Sequence, residues 1–278
     1  MDVTPAIAGP ALLFCPANRP DRFDKAVAAA DTTLVDLEDA VPADGKAAAR
    51  QAVRDALRTD PHRFITRVNA QGTPWHHEDV AMLRDIGASR LVLPKAASAD
   101  DLDQLADFGV IALCETVTGI GNADAIAAAA NCLALFFGAE DLTADLGGRA
   151  SRDRTGRYHQ PVEVAAARVL FAAAAHGKLA ISPVYLSLDD DDGLQAESEA
   201  ACDMGYGAKG CVHPRQVPVV RAAFSPTPEQ IDWARGLLTA AREHDSGVFR
   251  YQGRMVDGPV FAQARRILAL AGGPWTSN

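Results

Sequence analysis

The sequence has no basic excess, no apolar run long enough to cross a bilayer and no CxxC pair, and each absence removes a class of function. Lysine and arginine total 27 against 36 aspartates and glutamates, a formal net charge of −9. A surface with that balance lacks the cationic stripe that a phosphate backbone needs, which excludes a general nucleic-acid binder. A small polyanionic ligand stays open wherever cations cluster locally. The longest apolar run, around residues 125–139, contains Asn131 and falls short of a membrane span. Residues 1–16 lack the basic start that precedes the apolar stretch of a secretory leader. The five cysteines (Cys15, Cys114, Cys132, Cys202 and Cys211) are odd in number and lie mostly in apolar runs, which reads as reduced, buried thiols in a cytoplasmic protein. No linker of domain-separating length and no solenoid repeat interrupts the chain.

What is present is alternation. Short apolar runs recur at residues 12–16, 33–39, 64–69, 90–95, 110–116, 134–141, 180–186 and 208–214. Between them, residues 22–30, 45–57, 78–86, 99–108, 122–130, 161–176 and 193–204 carry helical periodicity in an alanine-rich background. Strands alternating with helices imply a parallel sheet, and near-continuous apolar strands imply burial on both faces. Eight such units favour an α/β closed barrel, the (β/α)8 TIM barrel, over residues 1–215. One misplaced strand would admit an open, Rossmann-like sheet instead. Residues 216–278 read differently: helices over 216–224, 228–244 and 259–271, with a hairpin near 248–255, form a C-terminal helical extension expected to pack on a neighbouring subunit.

The polar residues gather at the ends of the apolar runs: Asp36, Glu38 and Asp39; Arg67 and Asn69; Lys95; Glu115 and Thr116; Glu140 and Asp141; His213. In a (β/α)8 barrel those ends converge on one face, where the chemistry sits. Glu115 and Asp141 close neighbouring strands with no thiol or histidine beside them. Such a pair suits a hard, oxygen-liganded cation, Mg²⁺ best, because it keeps waters and leaves positions open to substrate. Spacing alone supports equally well a pair of structural ion pairs to Arg67 or Lys95. Three other signals are weaker. Gly119-Ile120-Gly121 resembles part of a dinucleotide fingerprint but has Asp124 where the third glycine belongs. The run 189–192 reads as a solvated turn and helix start. His76-His77-Glu78-Asp79 lacks metal-ligand spacing and reads as a helix start.

Taken in order, the motifs LFCPANRP (13–20), VDLEDAV (35–41), RVN (67–69), LPK (93–95), ET (115–116), GAEDL (138–142), VHP (212–214) and GRMVDGP (253–259) resemble the citrate lyase β-subunit and malyl/citramalyl-CoA lyase group over residues 11–270. The resemblance implies Mg²⁺ on Glu115 and Asp141, with Glu115 also facing substrate. It makes Arg67 the substrate-binding arginine and gives Asp257 to the active site of a neighbouring subunit in a homo-oligomer, a homotrimer or hexamer. Its reaction is reversible Claisen-type cleavage of a β-hydroxyacyl-CoA thioester (malyl-, citramalyl-, citryl- or hydroxymethylglutaryl-CoA) into an acyl-CoA and a keto acid such as oxaloacetate. The alternative within the group is a citrate lyase β-subunit acting on a citryl acyl carrier protein; outside it stands an NAD-dependent oxidoreductase. Asp257 would exchange a proton with the acetyl methyl carbon, although its place before Gly258-Pro259 also suits a helix N-cap. Glu38 and Asp39 would orient Arg67 or metal-bound waters. Aldolases of the wider group carry a histidine base where this chain has Asp39, which argues for the thioester-lyase branch. Arg19, Arg22, Lys25 and Lys95 are the candidates to meet the carrier's phosphates, Arg22 and Lys25 individually reading as solvated charge. The stretch holding Arg149, Arg152, Arg154 and Arg157 reads either as a loop that orders over an anionic substrate or as plain exposed surface.

Overall fold

The computed structural model describes residues 7–244 and 247–271; the rest of the expected extension and of the chain start lie outside the described residues. Eight parallel strands close on themselves in chain order: β1 (Ala11–Pro16), β2 (Thr32–Asp36), β3 (Ile65–Arg67), β4 (Arg90–Leu93), β5 (Gly109–Cys114), β6 (Cys132–Phe137), β7 (Leu179–Ser182) and β8 (Ala208–Cys211). Pairing of Leu12 with both Thr32 and Gly210 shuts the ring. The closed barrel therefore stands, and the open-sheet alternative does not.

Strand alternation sorts the side chains into two cores. Leu12, Leu34, Ile65, Val92, Ile111, Leu113, Ala134, Phe136, Ile181 and Ala208 point inward and fill the barrel. Their neighbours Leu13, Val35, Leu91, Leu93, Val110, Leu135 and Phe137 point outward, against a ring of helices. Burial on both faces explains why the strands read as unbroken apolar runs. The ring comprises α1 (Phe23–Ala29), α2 (Lys46–Leu57), α3 (His76–Asp85), α4 (Ala99–Asp103), α5 (Val117–Gly121), α6 (Ala123–Ala128), α7 (Ala139–Asp145), α8 (Gln160–Ala175), α9 (Asp191–Met204) and α10 (Gln216–Phe224). All five cysteines are free, Cys202 half-buried and the others buried.

The strands stop earlier than their apolar runs. Thr116 turns the chain after β5 by accepting a hydrogen bond from Gly119 N, so the expected strand 110–116 ends at Cys114 and a short helix follows. Gly138 ends β6, and Glu140 and Asp141 lie in the first turn of α7 rather than on the strand. Acidic residues are favoured there by the positive end of the helix dipole.

Beyond α10 come α11 (Pro228–Glu243), a hairpin of β9 (Phe249–Tyr251) and β10 (Arg254–Val256), and α12 (Gly258–Ala271). Thr227 and Gln230 form a reciprocal capping box at the start of α11, with Pro228 in its first turn. The hairpin turns on Gln252 and Gly253, both at positive φ, as a two-residue turn between right-twisted strands requires. Ala234, Leu237, Val256 and Ala264 give this extension a small core of its own.

Candidate active site

The site begins with a register. Asp36 and Arg67 end β2 and β3 directly opposite each other. Arg67 Nε and Nη2 each donate to Asp36, both at 2.7 Å, a bidentate pair that fixes the guanidinium plane. Asp36 also accepts from Glu38 N and Ala40 N, so the residues after β2 curl back over the strand end. Burial alone would raise the Asp36 pKa, but Arg67 and these two amides hold it below the ordinary aspartate value. Arg67 Nη1 lies 3.1 Å from Glu38 and Nη2 3.5 Å from Asp39, and the guanidinium stands over the Phe14 ring at 5.0 Å. Glu38 and Asp39 thus lie around Arg67.

Lys95 forms the opposite clamp. Its backbone is held at φ 52°, a left-handed conformation that costs a non-glycine residue energy and tends to occur at functional sites. That geometry lets its amide donate to Glu115 Oε1 at 3.0 Å while its ammonium donates to Glu38 Oε1 at 2.6 Å. The same ammonium lies 3.4 Å from Asp141 and 4.0 Å from Glu115. Burial opposes the charge, yet the carboxylate ring raises the Lys95 pKa and keeps it protonated. Lys95 therefore faces the carboxylates of Glu38, Asp141 and Glu115 within this chain. Arg19 pairs with Asp21 on the exposed surface.

Glu115 is almost wholly buried, at 2% exposure. Burial first, then the nearby Asp141 and Glu38 carboxylates, push its pKa up to about 8. Gly138 makes room for it: a Cβ at that position would sit 2.6 Å from both Cβ and Oε2 of Glu115. Only glycine fits. These groups open into a cavity of about 510 Å³ whose walls include Phe14, Arg67, Glu115, Phe136, Asp141 and Leu186. Its lining carries five carboxylates (Asp36, Asp39, Glu115, Glu140 and Asp141) against one arginine.

That imbalance tests whether a divalent cation fits. Glu115 and Asp141, the first buried and pushed toward protonation, converge where the Lys95 ammonium partly neutralises both and the Arg67 charge acts on Glu115 as well. The donor set is all oxygen. Among the described residues no group of three or more His, Cys, Asp or Glu is arranged to hold an ion. Two carboxylates of this kind suit a metal that retains waters and takes one or two protein carboxylates, as Mg²⁺ does. The structural-ion-pair reading of Glu115 and Asp141 is also partly realised, through Lys95; the two are compatible.

Asp257 is half-buried and does not line this cavity. Its carbonyl accepts from Phe261 N, so its backbone occupies the N-cap position of α12. Asn69 points beneath the site, donating to Asp79, while His213 is exposed and its amide is held by Gln216. Gly119 packs on the Ala96 carbonyl, where a Cβ would come within 2.2 Å, so its loop is a packing turn. Asp190 caps α9 through Gly193 N, as a solvated helix start should.

Sequence reasoning missed the support beneath Glu38. Lys46 is buried and donates at 2.6 Å to the carbonyls of Leu37 and Glu38 and to Asn69 Oδ1. Asn69 in turn donates to fully buried Asp79, which Arg50 holds from α2. No spacing in the sequence announces this network, because its members lie on three different elements.

Comparison with known proteins agrees with this geometry. The family model described as HpcH/HpaI aldolase/citrate lyase matches residues 11–214. A citrate lyase subunit beta-like protein of Mycobacterium tuberculosis is 44% identical over 265 residues, covering 95% of this chain and 96% of its own. A (3S)-malyl-CoA thioesterase of Cereibacter sphaeroides is 35% identical over 271 residues, covering 94% and 93%. The crystal structure of CitE from M. tuberculosis in complex with magnesium, acetoacetate and coenzyme A superposes with a TM-score of 0.92 at 44% identity, over 96% of this chain and 99% of that one. A citrate lyase beta subunit from the same organism, complexed with oxaloacetate and magnesium, gives 0.76 at 45% identity over 79% and 98%.

Proposed function

This chain belongs to the HpcH/HpaI aldolase/citrate lyase family, and from that premise and the site's geometry we propose a Mg²⁺-dependent carbon–carbon lyase acting on a β-hydroxyacyl-CoA thioester. The observation that carries the reading is the convergence of a clamped arginine and two carboxylates, Glu115 and Asp141, that Lys95 only partly neutralises, on one cavity. Those two carboxylates would hold the ion, which when bound would supply Lewis-acid chemistry toward the keto acid's oxygens. Arg67 donates to the same keto-acid oxygens. Because Asp36 already fixes its plane, little ordering remains to be done when substrate arrives. Phe14, Phe136 and Leu186 give the cavity an apolar wall.

Cleavage passes the β-hydroxyl proton to a base, for which the carboxylates lining the cavity are the acceptors at hand, breaks the bond between the α and β carbons and leaves an enolate of the acyl thioester. That enolate must gain a proton on carbon. Asp257 is our candidate donor. It does not line the cavity of its own chain, so a second copy would deliver it, and a homotrimer or hexamer follows as part of the same reading. CoA is the preferred carrier because a structural relative holds magnesium, acetoacetate and coenzyme A together. A carrier-protein thioester is the second reading, favoured by the 32% identity to a citrate lyase subunit beta of Leuconostoc mesenteroides.

Malyl-, citramalyl-, citryl- and hydroxymethylglutaryl-CoA, assayed with and without Mg²⁺ for both keto acid and free thiol, test the proposal. We expect a keto acid released together with acyl-CoA, and only with Mg²⁺. Free CoA without a keto acid would identify a thioesterase instead. Turnover solely on a carrier-bound substrate would replace CoA with the carrier protein.

A further inference from the structure

The reaction makes no use of a second group of buried charges, set between the barrel wall and α9. Lys209 on β8 points outward and its side chain is fully buried. Its ammonium donates to Pro183 O at 2.8 Å and Glu197 Oε1 at 2.9 Å, with Ser182 Oγ at 3.5 Å. Burial lowers the Lys209 pKa, and the Glu197 carboxylate beside it works against that shift. The other oxygen of Glu197 accepts from Arg152 Nη2 at 2.6 Å. Arg152 belongs to the arginine-bearing loop after α7, and it is pinned: its guanidinium lies 3.7 Å from the Tyr158 ring centre and 5.4 Å from that of Tyr185. One carboxylate thus serves two cations. Such an arrangement is costly to desolvate and is poor evidence of stabilisation for its own sake.

The loop it holds leads directly to the cavity. Arg152 bridges Tyr158, and Ser151 O accepts from His159 N, which closes residues 151–159 into a small antiparallel turn. Buried Ser151 donates its hydroxyl to Glu140 Oε1 at 2.6 Å. Glu140 precedes Asp141 in the first turn of α7, and both line the cavity. That hydroxyl is the hydrogen-bond donor described for the Glu140 carboxylate.

We propose that Glu197 is a positioning residue: by anchoring Arg152 it fixes the loop, and through Ser151 on Glu140 it sets the turn of α7 that aims Asp141 at the ion. The proposal rests on the reading of Glu115 and Asp141 as metal ligands. Groups that orient a ligand from behind typically change metal affinity by about 10–100-fold when removed.

Calorimetric Mg²⁺ titration and thermal denaturation of the full chain test it, with wild type, Glu197→Gln, Ser151→Ala, Ser151→Thr and Glu115→Ala. Glu197→Gln should weaken Mg²⁺ binding about tenfold and lower the melting temperature. Ser151→Ala leaves the ion pairs intact, so it should weaken binding by a similar factor at nearly unchanged melting temperature. Ser151→Thr, which keeps the hydroxyl, should bind as wild type does. Wild-type affinity in Ser151→Ala or in folded Glu197→Gln would overturn the proposal and reduce the network to a structural role. Should Glu115→Ala bind Mg²⁺ as wild type does, the metal site itself is misassigned, a failure distinct from that of the network.

Discussion

Asp36 holds Arg67 by two short hydrogen bonds in the wall of an otherwise acidic cavity, so the arginine's orientation depends on its ion-pair partner. Replacing Asp36 with Asn removes one partner of a buried ion pair, and we expect a stability loss of about 3 kcal/mol at neutral pH. The sign of its pH dependence follows from the depressed pKa. The contribution is fully present above the unfolded value of 3.8 and is lost as pH falls through the lower folded value. The stability gap between the two proteins, read from denaturant melts from pH 7 to 2.5, should therefore begin to narrow below about pH 3.8; a constant gap would show that Asp36 is not held ionised by Arg67. Asp36, Glu38, Asp39, Arg67, Glu115 and Asp141 were legible in the sequence because barrel topology gathers strand-end residues on one rim. Lys95 was legible as a residue but not in its direction, since its link to Glu38 spans 57 positions and depends on a left-handed backbone that no motif reveals. Lys46, Glu197 and Lys209 read as ordinary helix and strand residues until the fold places them.

At the level of elements, the short break between β6 and α7 decides whether Glu115 can occupy its pocket. Gly138 is the break, and its missing side chain leaves the space that Glu115 fills. Gly138→Ala should displace Glu115, cost about 1–3 kcal/mol of stability as an overpacked core position does, and abolish measurable Mg²⁺ binding. Near-normal binding in that variant, read by calorimetry, would mean that Glu115 is not confined as described. The eight strands and the helices of the tail were visible in the sequence from periodicity. Their ends were not, because a single capping contact, Thr116 with Gly119 N, or one glycine stops a strand whose apolar pattern runs on. That is why Asp141 falls on a helix turn where the pattern had placed it on a strand.

For the molecule as a whole, the extension from α11 to α12 carries Asp257 away from the cavity of its own chain. If a second copy delivers it, Asp257→Ala and Arg67→Ala should each be inactive alone. Mixed and reassembled, they should recover a fraction of wild-type turnover at sites that combine both intact residues; no recovery in demonstrably mixed oligomers would place the proton donor elsewhere. With a net charge of −9, the proposed catalyst would meet small anions through one local arginine and an ion rather than through its overall field. Everything in the proposed chemistry depends on that ion sitting between β5 and the first turn of α7. Its most direct test is a Mg²⁺ titration of wild type, Glu115→Ala and Asp141→Ala, followed on the same samples by keto-acid release from the four CoA thioesters. We predict saturable binding with wild type alone, and turnover that chelator abolishes and Mg²⁺ restores; full activity with chelator present, or unchanged binding in both variants, would contradict the assignment.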